Sequence, residues 1–579
     1  MFTRFRRMVV STMIALLTFS SVLILPFGGQ LEDRVWASPQ LGQRARFRIS
    51  DELSEKVKHD RHSLIPAVIR LSSDPDSDSF KALLSEIKRA GAIIKRKYKK
   101  VNTVAVLLEP DAIAQLSVIP GIEYISVDRP TESTGHLERT SGAALVRNYG
   151  TTSTGTIDGK GIGIAILDSG IDQDHHSFLK TGTTSRIVAN VNFTSEARTD
   201  DPYGHGTHVA GIAAGNKHVA WGAYAGIAPN ANLINVRVLD SLGRGSVSSA
   251  IAGIDWCIAN KTTHNIRVMN LSLGTTAVDS YRDDPLCLAV RRAVNAGIVV
   301  VVAAGNLGKD TNGNKVYGAI HSPGIEPSAI TVGAANTYGT DGRTDDGVAS
   351  FSSRGPTRGY WTDTSGVKHY DNMIKPDLVA PANKIISAKS PANYLVTTNP
   401  ALNLPLNYSE DHDNMFMSGT SMATPAVTGT VALLLQRKPT LTPNLVKAIL
   451  EYTAQPLAGF NNLEQGAGLL NVEGAVRLAG LVRSDLTGRV VNDPLLTGPA
   501  PVQSTTIAGV TFSWSGGLVQ KWNCISGVSL ITKWHGIYGT GVLMGDGVLM
   551  GDGVLMGDGV LMGDGVLMGD GVITSDGTS

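Results

Sequence analysis

The chain has too little cysteine for a disulfide framework. Only Cys257, Cys287 and Cys524 occur among 579 residues, and three thiols cannot all pair within one chain. Either Cys257 and Cys287 form one bridge, or the thiols are free and buried, the commoner state of isolated cysteines. Their spacing matches no zinc or redox motif. An excess of charge of one sign is also missing. The formal net charge is +1, so nothing points to nucleic acid or an anionic surface as the partner. Beyond the N-terminus, no apolar run is long enough to cross a membrane. Disorder is excluded by composition, with 42% hydrophobic and 17% charged residues. The length exceeds one ordinary domain.

The N-terminus reads as an address. Arg4, Arg6 and Arg7 precede an apolar run over 8–27, and Val35-Trp36-Ala37 ends in a small residue suited to signal peptidase. Residues 1–37 are expected to be a secretory signal cut near Ala37, the alternative being a membrane anchor. Residues 38–62 are polar and basic and read as a linker. From Ser63 the pattern becomes strand (67–71), helix (79–90), two strands around a basic turn at Lys95–Lys100, helix (111–118) and strand (122–127). The order βαββαβ describes a small α+β ferredoxin-like unit over 63–135.

The next region, 136–482, alternates strands with helices, which predicts an α/β fold with a parallel sheet. The apolar strand Gly161–Leu167 ends on Asp168, and ligands gather at the carboxyl ends of such strands. An Asx-turn is the bland alternative for Asp168. His205 and His208 open a small-residue helix, three apart rather than four, and lack the glutamate of a zinc H-E-x-x-H pair. His205 is expected to face a cleft and His208 to be structural. Ser272-Leu273-Gly274 and Ala303-Ala304-Gly305 follow two predicted strands, where exposed backbone could pair with an extended peptide. Asn306 could aim its amide at a developing oxyanion, or simply form a turn. Ser421, in Gly419-Thr420-Ser421-Met422-Ala423-Thr424-Pro425, opens a buried helix. There it is either an N-cap or a nucleophile near unpaired N–H groups.

Together, Asp168-Ser169-Gly170, His205-Gly206-Thr207-His208, Ala304-Gly305-Asn306 and the serine motif resemble the motif set of the subtilisin-like serine proteases. They stand in that family's order, Asp, His, Ser. The resemblance covers about 140–480 and the segment before it. It implies a three-layer parallel-sheet catalytic domain and a secreted, self-processing serine endopeptidase. Ser421 would be nucleophile, His205 general base and Asp168 its orienting acid, with Asn306 and the Ser421 N–H as oxyanion hole. Residues 272–274 and 303–305, with His321, would line the pocket for the residue before the cut. The partners implied are polypeptide substrates and the chain's own propeptide, acting as an intramolecular inhibitor whose tail, about 128–136, lies in the cleft. No cofactor is implied for the chemistry. The family's usual calcium site takes an Asp shortly after the Asp motif, where this chain has Ser177. The loop Asn216–Tyr224 also lacks a run of oxygen ligands. Structural calcium therefore has no clear site, and no metal ligand is assigned. Asp345, Asp346 and Asp377 read as surface carboxylates. The alternative is a catalytically silent relative that binds peptides or surfaces.

A Gly-, Ser-, Thr- and Trp-rich C-terminal extension follows over 483–540. In the tail, 541–579, Gly-Val-Leu-Met-Gly-Asp repeats five times from Gly541 to Asp570. Thirty residues make too few coils to bury a solenoid core, so a flexible, surface-associating tail is expected.

Overall fold

A computed structural model describes residues 48–50, 53–54, 57, 64–128, 136–147, 149, 155–180, 184–404 and 412–539, with short strand pieces after 547. The expected signal segment, most of the linker, residues 129–135 and nearly all of the repeat tail lie outside them. The chain divides into two compact units, 1–132 and 133–579.

In the first unit, β1 (Ile65–Leu71), β2 (Ile93–Tyr98), β3 (Thr103–Leu108) and β4 (Ile122–Val127) form an antiparallel sheet in the order β2-β3-β1-β4. The helix Asp78–Arg89 starts at Ser77, whose side chain accepts from the Phe80 N–H, and it buries Phe80, Leu83, Leu84 and Ile87. Two features of this unit differ from what its sequence pattern predicts. Lys95, Arg96 and Lys97 lie in β2 rather than in the turn, which is Lys99–Asn102. β2 is an edge strand, and exposed cations keep such an edge from pairing with other chains. At the opposite edge, Ser50 N–H donates to Ile125 carbonyl and Ile125 N–H to Arg48 carbonyl, while Leu53 is buried in the core. Part of the expected linker thus covers β4.

The second unit is built on β5 (Gly163–Asp168), β6 (Ile187–Asn192), β7 (Asn232–Arg237), β8 (Ile266–Leu271), β9 (Val299–Ala303), β10 (Ile330–Asn336) and β11 (Gly347–Val348). Their order is β11-β10-β9-β8-β5-β7-β6, and Leu378–Pro381 also pairs with β10. All pairings are parallel except β10–β11. The central strands β5 and β9 are buried along their whole length because both faces of the sheet are covered there. Ile164 and Ile166 of β5 join the core on one face, Ala165 and Leu167 that on the other. The helices Val247–Ala259 and Pro285–Asn295 pack on the second face, and His205–Ala214 and Thr420–Arg437 on the first. This is the expected three-layer α/β arrangement. From β5 the chain runs outward to β6 and back through β7. It then crosses to β8 and continues to β9 and β10. The direction reverses between β5 and β8, which places a crevice at their carboxyl ends, beside Asp168 and Ser272.

The extension beyond 482 is part of this unit's core. Trp514, Leu518, Leu530, Ile531, Trp534, Ile537 and Tyr538 are buried with residues of the central helices. Ser515 N–H donates to Ala454 carbonyl and Gly516 N–H to Tyr452 carbonyl. Trp514 stands edge-on to Tyr452, lies under the Arg477 guanidinium and donates Nε1–H to Thr505 Oγ1 at 2.9 Å. Replacing Trp514 by Ala removes both the packing and this donor. The expected destabilisation is about 3–5 kcal/mol, read as a lower midpoint in urea denaturation with an unchanged slope.

Candidate active site

The crevice is assembled from four segments. The first is the end of β5. Asp168 is 1% exposed, and its Oδ1 accepts from Ser169 N–H at 2.8 Å and faces His205 Nδ1 at 2.7 Å. His205 begins the helix His205–Ala214. Strand end and helix start meet at backbone distance. A Cβ on Gly206 would stand 2.1 Å from Gly170 carbonyl oxygen and 3.1 Å from Asp168 Cβ, so only glycine fits. Burial pulls the His205 imidazolium down. The charge and hydrogen bond of Asp168, with the charge of Asp201, outweigh it, and the group titrates above the ordinary histidine value.

Asp201 was not singled out from sequence, yet it ties this corner together. Its Oδ1 accepts from Ser169 Oγ at 2.7 Å and Gly204 N–H at 2.8 Å, and its Oδ2 from Thr207 N–H at 2.8 Å. One carboxylate therefore caps the helix and holds the residue after Asp168. Burial raises its pKa against the pull of those N–H donors. An acid just ahead of a helix start was the available signal.

The serine segment is fixed from two sides. Ser421 lies in the first turn of the helix Thr420–Arg437, which is buried along most of its length. Pro425 lies inside that helix and has no N–H for Ser421 carbonyl. Ser272 Oγ–H donates to that carbonyl instead, at 2.9 Å. Ser272 Oγ in turn accepts from Asn270 Nδ2, and Asn270 Oδ1 accepts from Thr428 Oγ1, each at 2.9 Å. The Ser421 hydroxyl donates to Ser272 carbonyl at 3.1 Å rather than to His205.

Asn306 follows the turn at Gly305. Its Oδ1 accepts from Thr420 N–H at 2.9 Å and Thr420 Oγ1–H at 3.1 Å, and Thr420 Oγ1 accepts from Gly305 N–H at 3.2 Å. With Oδ1 so used, the Nδ2 amide is left as a donor without a partner among the described residues. Thr420 is a second residue that sequence reasoning passed over, although it adjoins the serine.

Ser272, Leu273 and Gly274 line a cleft of about 330 Å³ together with His205. Its other walls include the apolar Val238, Leu239, Val247, Ala250 and Leu286 and the polar Tyr203, Ser246 and Thr275. The apolar ones come from segments that carried no motif. Ala303, Ala304 and Gly305 do not line this cleft. His321 stands between them and 272–274. A Cβ on Gly305 would lie 2.9 Å from His321 Cγ, and one on Gly274 3.2 Å from His321 Cβ. The imidazole fills the gap, its Nε2 is buried without a partner among the described residues, and burial lowers its pKa.

His208 does not face the crevice. Its Nε2–H points to the carbonyls of Ile385 and Met415, both at 3.1 Å, and burial with the charge of His205 lowers its pKa to about 3. Among the described residues, no group of three or more His, Cys, Asp or Glu side chains is arranged to hold a metal. Two of the supposed surface carboxylates are in fact buried. Asp377 is paired with Lys375 at 2.8 Å and Lys447 at 3.0 Å, and the Asp346 side chain lies beside Arg343. Cys257 and Cys287 are buried and free, and Cys524 is free and exposed.

A family model described as the Subtilase family matches residues 159–475. The chain is 37% identical to Serine protease AprX of Bacillus subtilis (strain 168) over 391 residues, 66% of this chain and 81% of that protein. It is 32% identical to Subtilisin E of the same strain over 392 residues, 68% of this chain and 85% of that protein. It is 35% identical to an Extracellular serine proteinase of Thermus sp. (strain Rt41A) over 378 residues, 63% of this chain and 74% of that protein.

The depressed pKa of His208 has a consequence for stability. An unfolded histidine titrates near 6.5, so the folded state binds fewer protons between that value and about 3. The stability contributed by neutral His208 is complete above the unfolded pKa. It is lost as pH falls, at roughly 1.4 kcal/mol per pH unit. His208→Gln keeps a donor for one of the two carbonyls, and the slope of stability against pH should flatten over this window. Urea titrations at successive pH values measure it.

Proposed function

The chain belongs to the subtilase family and is a serine endopeptidase, and we propose that it cleaves polypeptides through Ser421, His205 and Asp168. The observation that carries the assignment is the 2.7 Å contact of His205 Nδ1 with the buried Asp168 carboxylate. It sits at the same crevice as a serine on a buried helix end. With Nδ1–H donated to Asp168, Nε2 is the basic nitrogen. Ser421 Oγ now donates to Ser272 carbonyl, and a χ1 turn re-aims it at His205, as catalytic hydrogen bonds often tighten only with substrate bound. His205 takes the Ser421 proton as Oγ attacks the scissile carbonyl and returns it to the leaving amine. Asp168 keeps the tautomer and stabilises the imidazolium. Asn306 Nδ2, held by the Thr420 clamp on its Oδ1, and the Ser421 N–H stabilise the oxyanion. Substrate adds as a strand along 272–274 and 303–305, and His321 limits the depth of the pocket for the residue before the cut. The chain is secreted as a zymogen, the signal near 1–37 directs export, and the 63–135 unit blocks the site until the enzyme cuts itself.

Purified Ser421→Ala precursor should stay full length, and its peptidase rate should fall about a million-fold, the loss known for subtilisin itself. Its conversion to a shorter form with no other protease present would overturn the assignment. The raised His205 pKa puts the acid limb of kcat/KM above about 6.5, because only the neutral imidazole accepts a proton. Asp168→Asn removes the stabilising charge while burial remains. The limb should move to lower pH and kcat should fall on the order of 10,000-fold. His321→Gly should open the gap between the two segments. Peptide-library profiling should then show larger side chains accepted before the cut, with the catalytic pH profile unchanged.

A further inference from the structure

The family's calcium locus, after the Asp motif and along the loop that follows the first-face helix, is built differently in this chain. Calcium takes six to eight oxygen ligands, carboxylates and carbonyls above all. Here the oxygens of that region already accept from side-chain cations. Arg147 Nη2 donates to Ile227 carbonyl at 2.9 Å and to Glu138 Oε1, and Arg147 Nη1 donates to Ile157 carbonyl at 3.1 Å. Lys217, in the loop itself, pairs with Glu138 Oε2 at 3.4 Å. Arg186 Nη2 donates to Ser177 carbonyl at 2.7 Å and Ala214 carbonyl at 2.6 Å. Asn216 turns its Nδ2 toward the His176 and Leu179 carbonyls, and its Oδ1 accepts from His218 N–H at 2.9 Å.

These donors do not fit a divalent ion. Glu138 is the one carboxylate in the set, it is 6% exposed, and both its oxygens are committed. Arg147 and Lys217 share the Glu138 carboxylate, and Arg186 occupies the Ser177 and Ala214 carbonyls. A doubly charged ion placed among them would meet like charge at short range in a partly buried setting, where Coulomb repulsion is strong. The cations also join separate elements around the locus. Glu138 lies in the opening helix His136–Thr140, Lys217 in the loop, and Ile227 just beyond it.

We propose that these cations take the place of a calcium ion at this locus, Arg147 and Lys217 clasping the 216–224 loop and its exit to the opening helix through Glu138, and Arg186 tying Ser177 to the end of the helix before the loop, so that the loop holds its fold without a divalent metal.

Hydrogen exchange on the full chain tests this, with Ser421→Ala to prevent self-digestion. Exchange of peptides spanning 212–228 is followed in calcium chloride and in chelator, for this parent, for Arg147→Gln and for Lys217→Met. In the parent the two media should give the same rates. Arg147→Gln should speed exchange at least about tenfold in both, as local opening becomes easier. Lys217→Met should speed it less, since that ammonium is 58% exposed. Slower exchange of these peptides in calcium than in chelator, in the parent, would overturn the proposal, because a ligand bound only to the closed form protects it. So would unchanged exchange in both variants. Should Arg147→Gln fail to fold, the parent's two media and Lys217→Met decide the matter.

Discussion

The carbonyl of Ser421 is the point on which the arrangement turns. The helix Thr420–Arg437 runs through the core, and buried backbone must be hydrogen-bonded. Pro425 makes that impossible from within the helix, because the residue four positions after Ser421 has no N–H to offer. The missing donor comes from Ser272, just past the end of β8, at 2.9 Å. A gap in one element is thus filled by a side chain of another, and the two are locked in register. The Asn270–Thr428 contact repeats the tie deeper in the core. The serine is consequently positioned by the sheet as well as by its own helix.

The same economy of space holds the histidine. β5 and the helix His205–Ala214 approach until Gly206 lies against the Gly170 carbonyl, so the acid and the imidazole come from backbones nearly in contact. Such closeness leaves several N–H groups facing one another with no acceptor between them. Asp201 supplies it, accepting from Gly204, Thr207 and the Ser169 hydroxyl. Arg237, fully buried, donates Nε–H to Ser169 carbonyl at 2.9 Å. Buried charges are tolerated here because each is hydrogen-bonded, and removing one partner would strand the other. The negative charge on Asp168 and Asp201 in turn holds the imidazole in a basic state despite burial.

The legible parts were those with one dominant physical signal. β8 was bounded correctly from its apolar run, and the first unit's helix was read from four residues on one face. Asp168, His205, Asn306 and Ser421 were visible as motifs, and the structure brings the segments bearing them to one crevice. β6 was missed because Asn190 and Asn192 break its apolar run at the sheet's outer edge. The basic residues of β2 looked like a turn because charge suggests solvent, and an edge strand is solvated too. Asp201, Thr420 and the cleft wall around Val247 were missed for another reason. The significance of Thr420 and the cleft wall lies in what they touch across the fold, which a single sequence does not show, and Asp201 left only its place ahead of a helix start as a trace.

The extension beyond 482 belongs to this last class. Glycine, serine, threonine and tryptophan without a long apolar run marked it only as an extension, with nothing to say what it packs on. Yet the match to the family model ends at residue 475, and residues before that point cover the helix Pro443–Thr453 only in part, as where Lys447 meets Asp377. Its surface is finished by later residues. Asn444 Nδ2 donates to Ile537 carbonyl at 2.8 Å, Tyr452 hydroxyl to Gln503 Oε1 at 2.9 Å, and Glu451 Oε2 accepts from Val519 N–H at 2.8 Å. Burial raises Glu451 to about 8, against the pull of Lys447. A carboxyl so deeply placed depends on the Val519 donor to stay satisfied. Short strands with tryptophans between them are therefore what a covering layer looks like in sequence. Each bury-and-bond contact is local, none repeats with a period, and the helix beneath supplies the continuity the segment itself lacks.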